Sequence, residues 1–370
     1  MKKVLSSAKI ITTIRFTDTI SVRTTLTVCV YVLKNPRPLI KRLDELSDYS
    51  SSGLVSDNMI INVGGRTDIV NYYTPWLLNR LDEGFAYSRN PFARENVYKL
   101  SLKPEDVDCL LFCSKNYQPI LKHIGGIDEK YNILCNYTIT AYGKDIEPKV
   151  PSINQSIKTL KRLYDAVGEN KILWRYDPIL LTEKYTVEKH LETFEYMAEE
   201  IAPFVYRCIF SFVDMYKKVE ENMPEIIPLT LDDKERLLKG IGEISDKNNL
   251  YTQICATNEN YEKYGIHPAG CTTREILEQA HGVIYNNVKA SGIRKNCHCI
   301  PSRDIGAYNS CLSECKYCYA NRKPEIPKNV IKLHDERSPL LLGHLKDNDN
   351  LIDTEVIRYI EPTQKTLFDF

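Results

Sequence analysis

The segment SINQSIKTLKRLYDAVGENKILWRYDP, residues 152–178, carries the pattern on which the fold turns. Ile153, Ile157, Leu160, Leu163 and Val167 recur at three- and four-residue intervals, which lines them along one face of a helix, and Ser152 stands where an N-cap belongs. Gly168-Glu169-Asn170 breaks that pattern. Ile172-Leu173-Trp174 follows as a short apolar run ending in the polar group Arg175-Tyr176-Asp177-Pro178. A helix that feeds a strand with a polar end is one unit of an α/β protein.

The unit repeats in both directions. Strands are expected at Ile60–Val63, Ala86–Ser88, Cys109–Cys113, Ile133–Thr140, Ile172–Trp174, Tyr206–Phe212 and Leu250–Cys255. Helices are expected near Tyr73–Leu81, Ile153–Val167, Val187–Ile201 (capped by Thr186), Leu231–Ile244 and Thr273–Ala280. Alternation at this spacing predicts a parallel sheet in an α/β fold, closed or nearly closed into a partial or complete (β/α) barrel, with an open doubly wound sheet as the alternative. Residues just beyond the strands' C-terminal ends would then share one mouth. They include Gly64-Gly65-Arg66-Thr67-Asp68, Ser114-Lys115-Asn116, Arg175 with Asp177, and Ser211 with Asp214. Arg66, Asp68, Arg175, Asp177 and Asp214 are the candidates for handling cofactor and substrate.

Composition narrows the function classes. The 370 residues carry 49 Lys+Arg against 49 Asp+Glu, so no global field draws the chain to nucleic acid or an anionic membrane. No apolar run reaches the roughly 18 residues of a membrane span, and Arg15, Asp18 and Arg23 interrupt any secretory signal core. A cytoplasmic location is expected. Residues 1–58 read as an extension: they are basic up to Arg42, then turn to an Asp/Ser/Gly linker, and Lys34–Lys41 echoes Lys115–Lys122 as a partial internal repeat. The expected divisions are 1–58, a barrel over 59–285, a cysteine-rich region over 286–330 and a tail over 331–370. The tail ends in Gln364-Lys365-Thr366-Leu367-Phe368-Asp369-Phe370, which has the form of a short clamp-docking peptide.

Seven of the twelve cysteines fall between Cys255 and Cys318. In a reducing compartment such a cluster indicates metal rather than disulfides. Cys311, Cys315 and Cys318 have the spacing C-x3-C-x2-C. Three thiolates on one loop can hold three irons of a four-iron cluster and leave the fourth open to an exogenous ligand. Zinc, which favours four protein ligands and paired C-x2-C arms, explains the triplet less well. Cys255, Cys271, Cys297 and Cys299 supply four more thiolates, a full set for an auxiliary iron–sulfur cluster or a zinc site. Cys29, Cys109, Cys113, Cys135 and Cys208 sit in apolar runs and read as ordinary buried residues.

The triplet, with the aromatic Tyr317 before its last cysteine, resembles the radical S-adenosylmethionine (radical SAM) superfamily. Asn309–Asn321 looks particularly like the cluster loop of spore photoproduct lyase. From Met59 onward the chain is similar to an uncharacterised prokaryotic family that joins R-T-D-I (Arg66–Ile69), W-R-Y-D-P (Trp174–Pro178) and D-I-G-x-Y-N (Asp304–Asn309) to a late cysteine triplet. The resemblance implies a 4Fe-4S cluster on Cys311, Cys315 and Cys318, with S-adenosylmethionine chelated at the open iron and Tyr317 near its adenine. It also implies a one-electron reductant such as ferredoxin or flavodoxin, and a 5′-deoxyadenosyl radical acting on an unidentified substrate.

One departure matters: the superfamily's cysteine loop follows the first barrel strand, whereas here it follows seven expected strands. A circularly permuted barrel reconciles the two. Ile60–Val63 would then neighbour the cluster strand, Gly64-Gly65 would bind the methionine amine, and Asp68 would be a carboxylate partner. The competing class is a non-catalytic, metal-stabilised binding protein tied to DNA repair or replication through the C-terminal peptide.

Overall fold

The structure, a computed structural model, describes residues 55–286, 290 and 296–360. The expected repeat and linker within residues 1–54, Cys29 and the clamp-like peptide lie outside the described residues. Strands in chain order are β1 (Val55–Asn58), β2 (Ile60–Asn62), β3 (Phe85–Arg89), β4 (Asn96–Ser101), β5 (Cys109–Ser114), β6 (Ile133–Thr138), β7 (Ile172–Ile179), β8 (Arg207–Phe212), β9 (Thr252–Ile254), β10 (Ile266–Pro268), β11 (Arg303–Asp304) and β12 (Asn350–Ile357).

Eight of them form one sheet in the order β10-β9-β8-β7-β6-β5-β2-β11, with every neighbouring pair parallel. The sheet is flanked by helices and is consistent with a barrel-like fold. It is not closed by a strand ladder, because β10 and β11 are its two outer strands. Within this sheet the last strand in sequence, β11, pairs with the first, β2, Arg303 opposite Ile61 and Asp304 opposite Asn62.

The period-two alternation explains why both faces are covered. Ile61, Leu110, Phe112, Ile133, Cys135, Tyr137, Ile172, Trp174, Tyr176, Cys208 and Phe210 meet one large core. Helices Thr74–Glu83, Leu121–Asp128, Ile153–Val167, Val187–Ile201 and Leu231–Lys247 cover that core with residues such as Trp76, Ile124, Leu160, Phe194 and Leu237. The alternate residues Ile60, Cys109, Leu111, Leu134, Leu173 and Ile209 meet a second core, filled by Ile276, Leu277 and Ala280 of helix Arg274–His281. Ser152 caps the helix Ile153–Val167 in a capping box with Gln155, as its sequence indicates.

Ala86–Ser88 belongs elsewhere. It lies in β3, which pairs antiparallel with β4 in a separate sheet ordered β1-β12-β4-β3. A short alternating run carries no information on which sheet it joins, and the Asn90–Glu95 turn decides it by bringing β4 back alongside. β1, within the expected extension, and β12, within the expected tail, supply the other two strands of this sheet.

One buried and one half-buried histidine, His190 and His281, give the fold an acid limit. His190 Nε2–H donates to the Leu180 carbonyl at 2.9 Å, and its Nδ1 accepts from Tyr176 at 2.8 Å. Burial lowers the pKa of His190 to about 4, and that of His281 to about 4 as well. Between pH 6.5 and 4 the unfolded chain therefore binds protons that the native chain refuses, and stability falls as pH falls, by at most about 1.4 kcal/mol per pH unit for each histidine. The stability advantage of wild type over His190→Gln should shrink by that slope across this window in urea melts. A pH-independent gap would contradict the assignment.

Candidate functional site

The C-terminal ends of the parallel strands gather the polar residues. β2 ends in Asn62, whose side-chain oxygen accepts from Gly64 N at 3.0 Å, and the chain then turns through Gly64 and Gly65. A β-carbon on Gly64 would lie 2.1 Å from the Cys113 carbonyl oxygen, and one on Gly65 would lie 2.3 Å from Asp304 Oδ2. The backbone carbonyl leaves no room for a side chain at Gly64, and one at Gly65 would have to displace the Asp304 carboxylate. The Gly65 carbonyl accepts a hydrogen bond from Tyr319, next in sequence to Cys318.

Arg66 and Asp304 lock β2 to β11. The Arg66 backbone N–H donates to Asp304 Oδ2 and its Nε donates to Oδ1, both at 2.9 Å, while Nη2 bonds Ser88 at 2.8 Å and the Asp304 carbonyl. This bidentate clamp commits the guanidinium to structure. Asp68 is also engaged: it caps the turn at Ile69–Tyr72 by accepting from Asn71 N at 3.0 Å, and it takes Ser114 Oγ at 2.7 Å and Lys115 N at 3.0 Å. Desolvation by burial raises the Asp68 pKa to about 6 against these donors. A Gly65→Val or Asp68→Ala change thus breaks the Asp304 clamp or a helix cap before it reports on any ligand.

The triplet loop follows β11 and is held from several sides. Tyr73 donates to the Ser310 carbonyl at 2.7 Å, Asn321 Nδ2 to the Cys311 carbonyl at 2.8 Å, Lys316 N to the Ile146 carbonyl at 3.1 Å and Arg322 N to Asn309 Oδ1 at 2.6 Å. Asn309 and Glu314 adopt left-handed backbone at φ 61 and φ 57. Cys311 and Cys315 are buried, and Cys318 Sγ accepts from the Ala320 amide at 3.3 Å. Burial pushes the Cys311 thiol up to about 12 and those of Cys315 and Cys318 upward as well. Lys115 opposes the shift at Cys315, and backbone amides together with Lys218 and Lys115 oppose it at Cys318. The dryness of the pocket disfavours a bare thiolate, while its N–H donors and nearby ammonium groups suit a metal-bound one.

Beneath the loop lies a network that the sequence does not announce. Glu147, 2% exposed, accepts from Lys115 Nζ at 2.9 Å, from Thr140 Oγ1 at 2.7 Å and from the Tyr317 hydroxyl. Tyr317 is thereby fixed between Cys315 and Cys318, with Lys115 5.6 Å from its ring centre.

On the inner face of the sheet, the one opposite the large helix-covered core, Asn136 is fully buried next to Cys113 in register, and neither of its amide atoms has a hydrogen-bond partner among the described residues. Arg175 pairs with Asp177, which also accepts from Ser211. Asp214 follows β8 on an exposed loop, and Tyr216 donates to it at 3.3 Å. Tyr216 also lines an open cleft of about 380 Å³ with Lys217, Lys218, Glu221 and Arg322. Of the expected handling residues, Arg66 and Asp68 lie at the β2 end, Arg175 and Asp177 in β7, and Asp214 farther out.

The second cysteine group converges too. Cys255, Cys271 and Cys299 bring their sulfurs within 4.8 Å of one another and can bind a metal, and Cys297 lies two residues before Cys299.

A family model described as a domain of unknown function, DUF1848, matches residues 60–320. The chain belongs to the DUF1848 family. The matched region runs from the start of β2 to just past Cys318, so the DUF1848 domain contains all eight parallel strands and both cysteine groups. Comparison with curated proteins and with solved structures gave no match. No helix among the described residues is long and apolar enough to cross a membrane.

Proposed function

We propose that this DUF1848 protein is a radical SAM enzyme with a circularly permuted barrel, in which Cys311, Cys315 and Cys318 hold a 4Fe-4S cluster. The observation that carries this reading is the pairing of β11 with β2. It sets the cysteine loop that leaves β11 beside Gly64-Gly65 at the end of β2, where Tyr319 from the loop reaches the Gly65 carbonyl. A further feature supports the fit: the buried thiols of Cys311 and Cys315, with an amide donor at Cys318. The bound cluster and S-adenosylmethionine would supply one-electron radical chemistry.

The chain's own residues would do the rest. Gly64 and Gly65 let the end of β2 pack against the Cys113 carbonyl and the Asp304 carboxylate, Tyr317 on Glu147 closes one wall, and the Arg66–Asp304 clamp keeps β2 and β11 in register. Asn136, with its amide unpartnered, and the Arg175–Asp177–Ser211 group give the inner face its polar contacts for a bound molecule.

The protein reconstituted anaerobically with iron and sulfide, then reduced in the presence of S-adenosylmethionine, should form 5′-deoxyadenosine. A colourless protein that binds zinc alone and leaves S-adenosylmethionine intact would favour the metal-stabilised binding protein instead.

A further inference from the structure

The second cysteine group stands apart from the proposed chemistry, and its sulfurs are spaced for a smaller object. The three sulfurs of Cys255, Cys271 and Cys299 lie within 4.8 Å of one another, with Cys271 and Cys299 at 3.2 Å. Thiolates on one tetrahedral ion, each about 2.3 Å from it, stand roughly 3.8 Å apart along the tetrahedron's edges. Thiolates of a four-iron cluster sit on different irons, so an iron–iron edge and two outward-pointing bonds separate each pair, which is too wide for this group. Cys311, Cys315 and Cys318 do not gather their sulfurs within the same 4.8 Å limit, and Cys297, the fourth cysteine of this group, stands outside the three-sulfur set but only two residues before Cys299.

The topology gives the small site a task. β10 and β11 are the open edges of the eight-stranded sheet. Cys255 follows β9 and Cys271 follows β10, whereas Cys297 and Cys299 lead into β11. Ile300 N donates to the Thr272 carbonyl at 2.9 Å across this seam, and Cys271 N donates to Cys299 Sγ at 3.1 Å, as amides around metal thiolates do. Gly270 lets the strands approach, since a β-carbon there would lie 2.6 Å from the His298 backbone.

We propose that Cys255, Cys271, Cys297 and Cys299 hold one tetrahedral zinc ion that staples the β10 edge of the sheet to the segment entering β11, in place of a second iron–sulfur cluster. Four protein ligands leave no open position, so the ion is structural. The proposal is independent of what the triplet binds.

The test uses the full chain carrying Cys311→Ala, Cys315→Ala and Cys318→Ala together, purified anaerobically, which separates this site from the triplet. Elemental analysis should find one zinc per chain and no iron, and zinc-edge X-ray absorption should give four sulfurs at about 2.3 Å. Iron with acid-labile sulfide, a lone iron, or a folded chain without metal would each overturn it. Stripping the zinc with a chelator should then raise amide exchange at 252–254, 266–268 and 303–304 while 133–138 and 172–179 stay protected. Unchanged exchange at the two edges would sink the staple.

Discussion

Replacing Cys315 by alanine is expected to abolish 5′-deoxyadenosine formation, to below about a hundredth of the wild-type rate, without unfolding the chain. Loss of a group that only orients a metal ligand already costs about 10–100-fold in metal affinity or activity, and loss of a ligand itself costs more. Two thiolates, Cys311 and Cys318, would remain for three irons, and the spare iron position that makes the triplet useful would no longer be unique. The fold tolerates the change because the Cys315 side chain is a small buried group packed in a cluster with Tyr142, Leu180, Met223 and others. Removing one sulfur there costs about 1 kcal/mol. Cys135→Ala is the matched control: it is equally buried, but its side chain faces the helix-covered core. The measurement is iron per chain beside product formed and far-ultraviolet circular dichroism. If Cys315→Ala kept a full complement of iron and formed product, the triplet would not be the cluster site.

The sequence carries the parallel strands that are buried on both faces, because each is a continuous apolar run; β5, Cys109–Ser114, is the plainest. β10 and β11 escape it for the opposite reason. Ile266-His267-Pro268 contains a proline suited to an edge, and Arg303-Asp304 has no apolar residue at all. β11 is defined by its ladder to β2, which no local pattern encodes. The helix Leu121–Asp128 is hidden by Gly125-Gly126, whose poor helix propensity is outweighed by Ile124 and Ile127 in the core.

At the site, the cysteine spacing is legible because the loop's chemistry is local. The roles of Arg66 and Asp68 are not, since a charged residue at a strand end reads the same whether it meets a ligand or Asp304, 238 residues away. Glu147 gave no signal: it is one acid in the loop Ala141–Val150, and its partners Lys115 and Tyr317 come from two distant segments.

That carboxylate carries the largest stability effect expected of a single side chain here. Glu147→Ala should destabilise the protein by about 3–5 kcal/mol, the range for leaving one half of a buried ion pair uncompensated. Lys115 would keep its ammonium in a pocket where its side chain is 14% exposed, while Thr140 and Tyr317 would each lose the acceptor they bond. Burial opposes the charge on Lys115, and Glu147 is the largest of the neighbours that hold it protonated. The charge penalty and the lost hydrogen bonds separate in a double-mutant cycle. Lys115→Met combined with Glu147→Leu removes both charges and fills the space with apolar groups, so the pair should recover much of the loss that Glu147→Leu alone incurs. Because Glu147 also fixes Tyr317 between two of the cluster cysteines, the double variant should remain folded yet bind S-adenosylmethionine more weakly. Urea melts of the four proteins, with S-adenosylmethionine titrated onto each reconstituted form, read both effects. Additive losses in the melts would mean that Lys115 and Glu147 do not act as a pair, and full affinity in the double variant would remove Tyr317 from the binding wall.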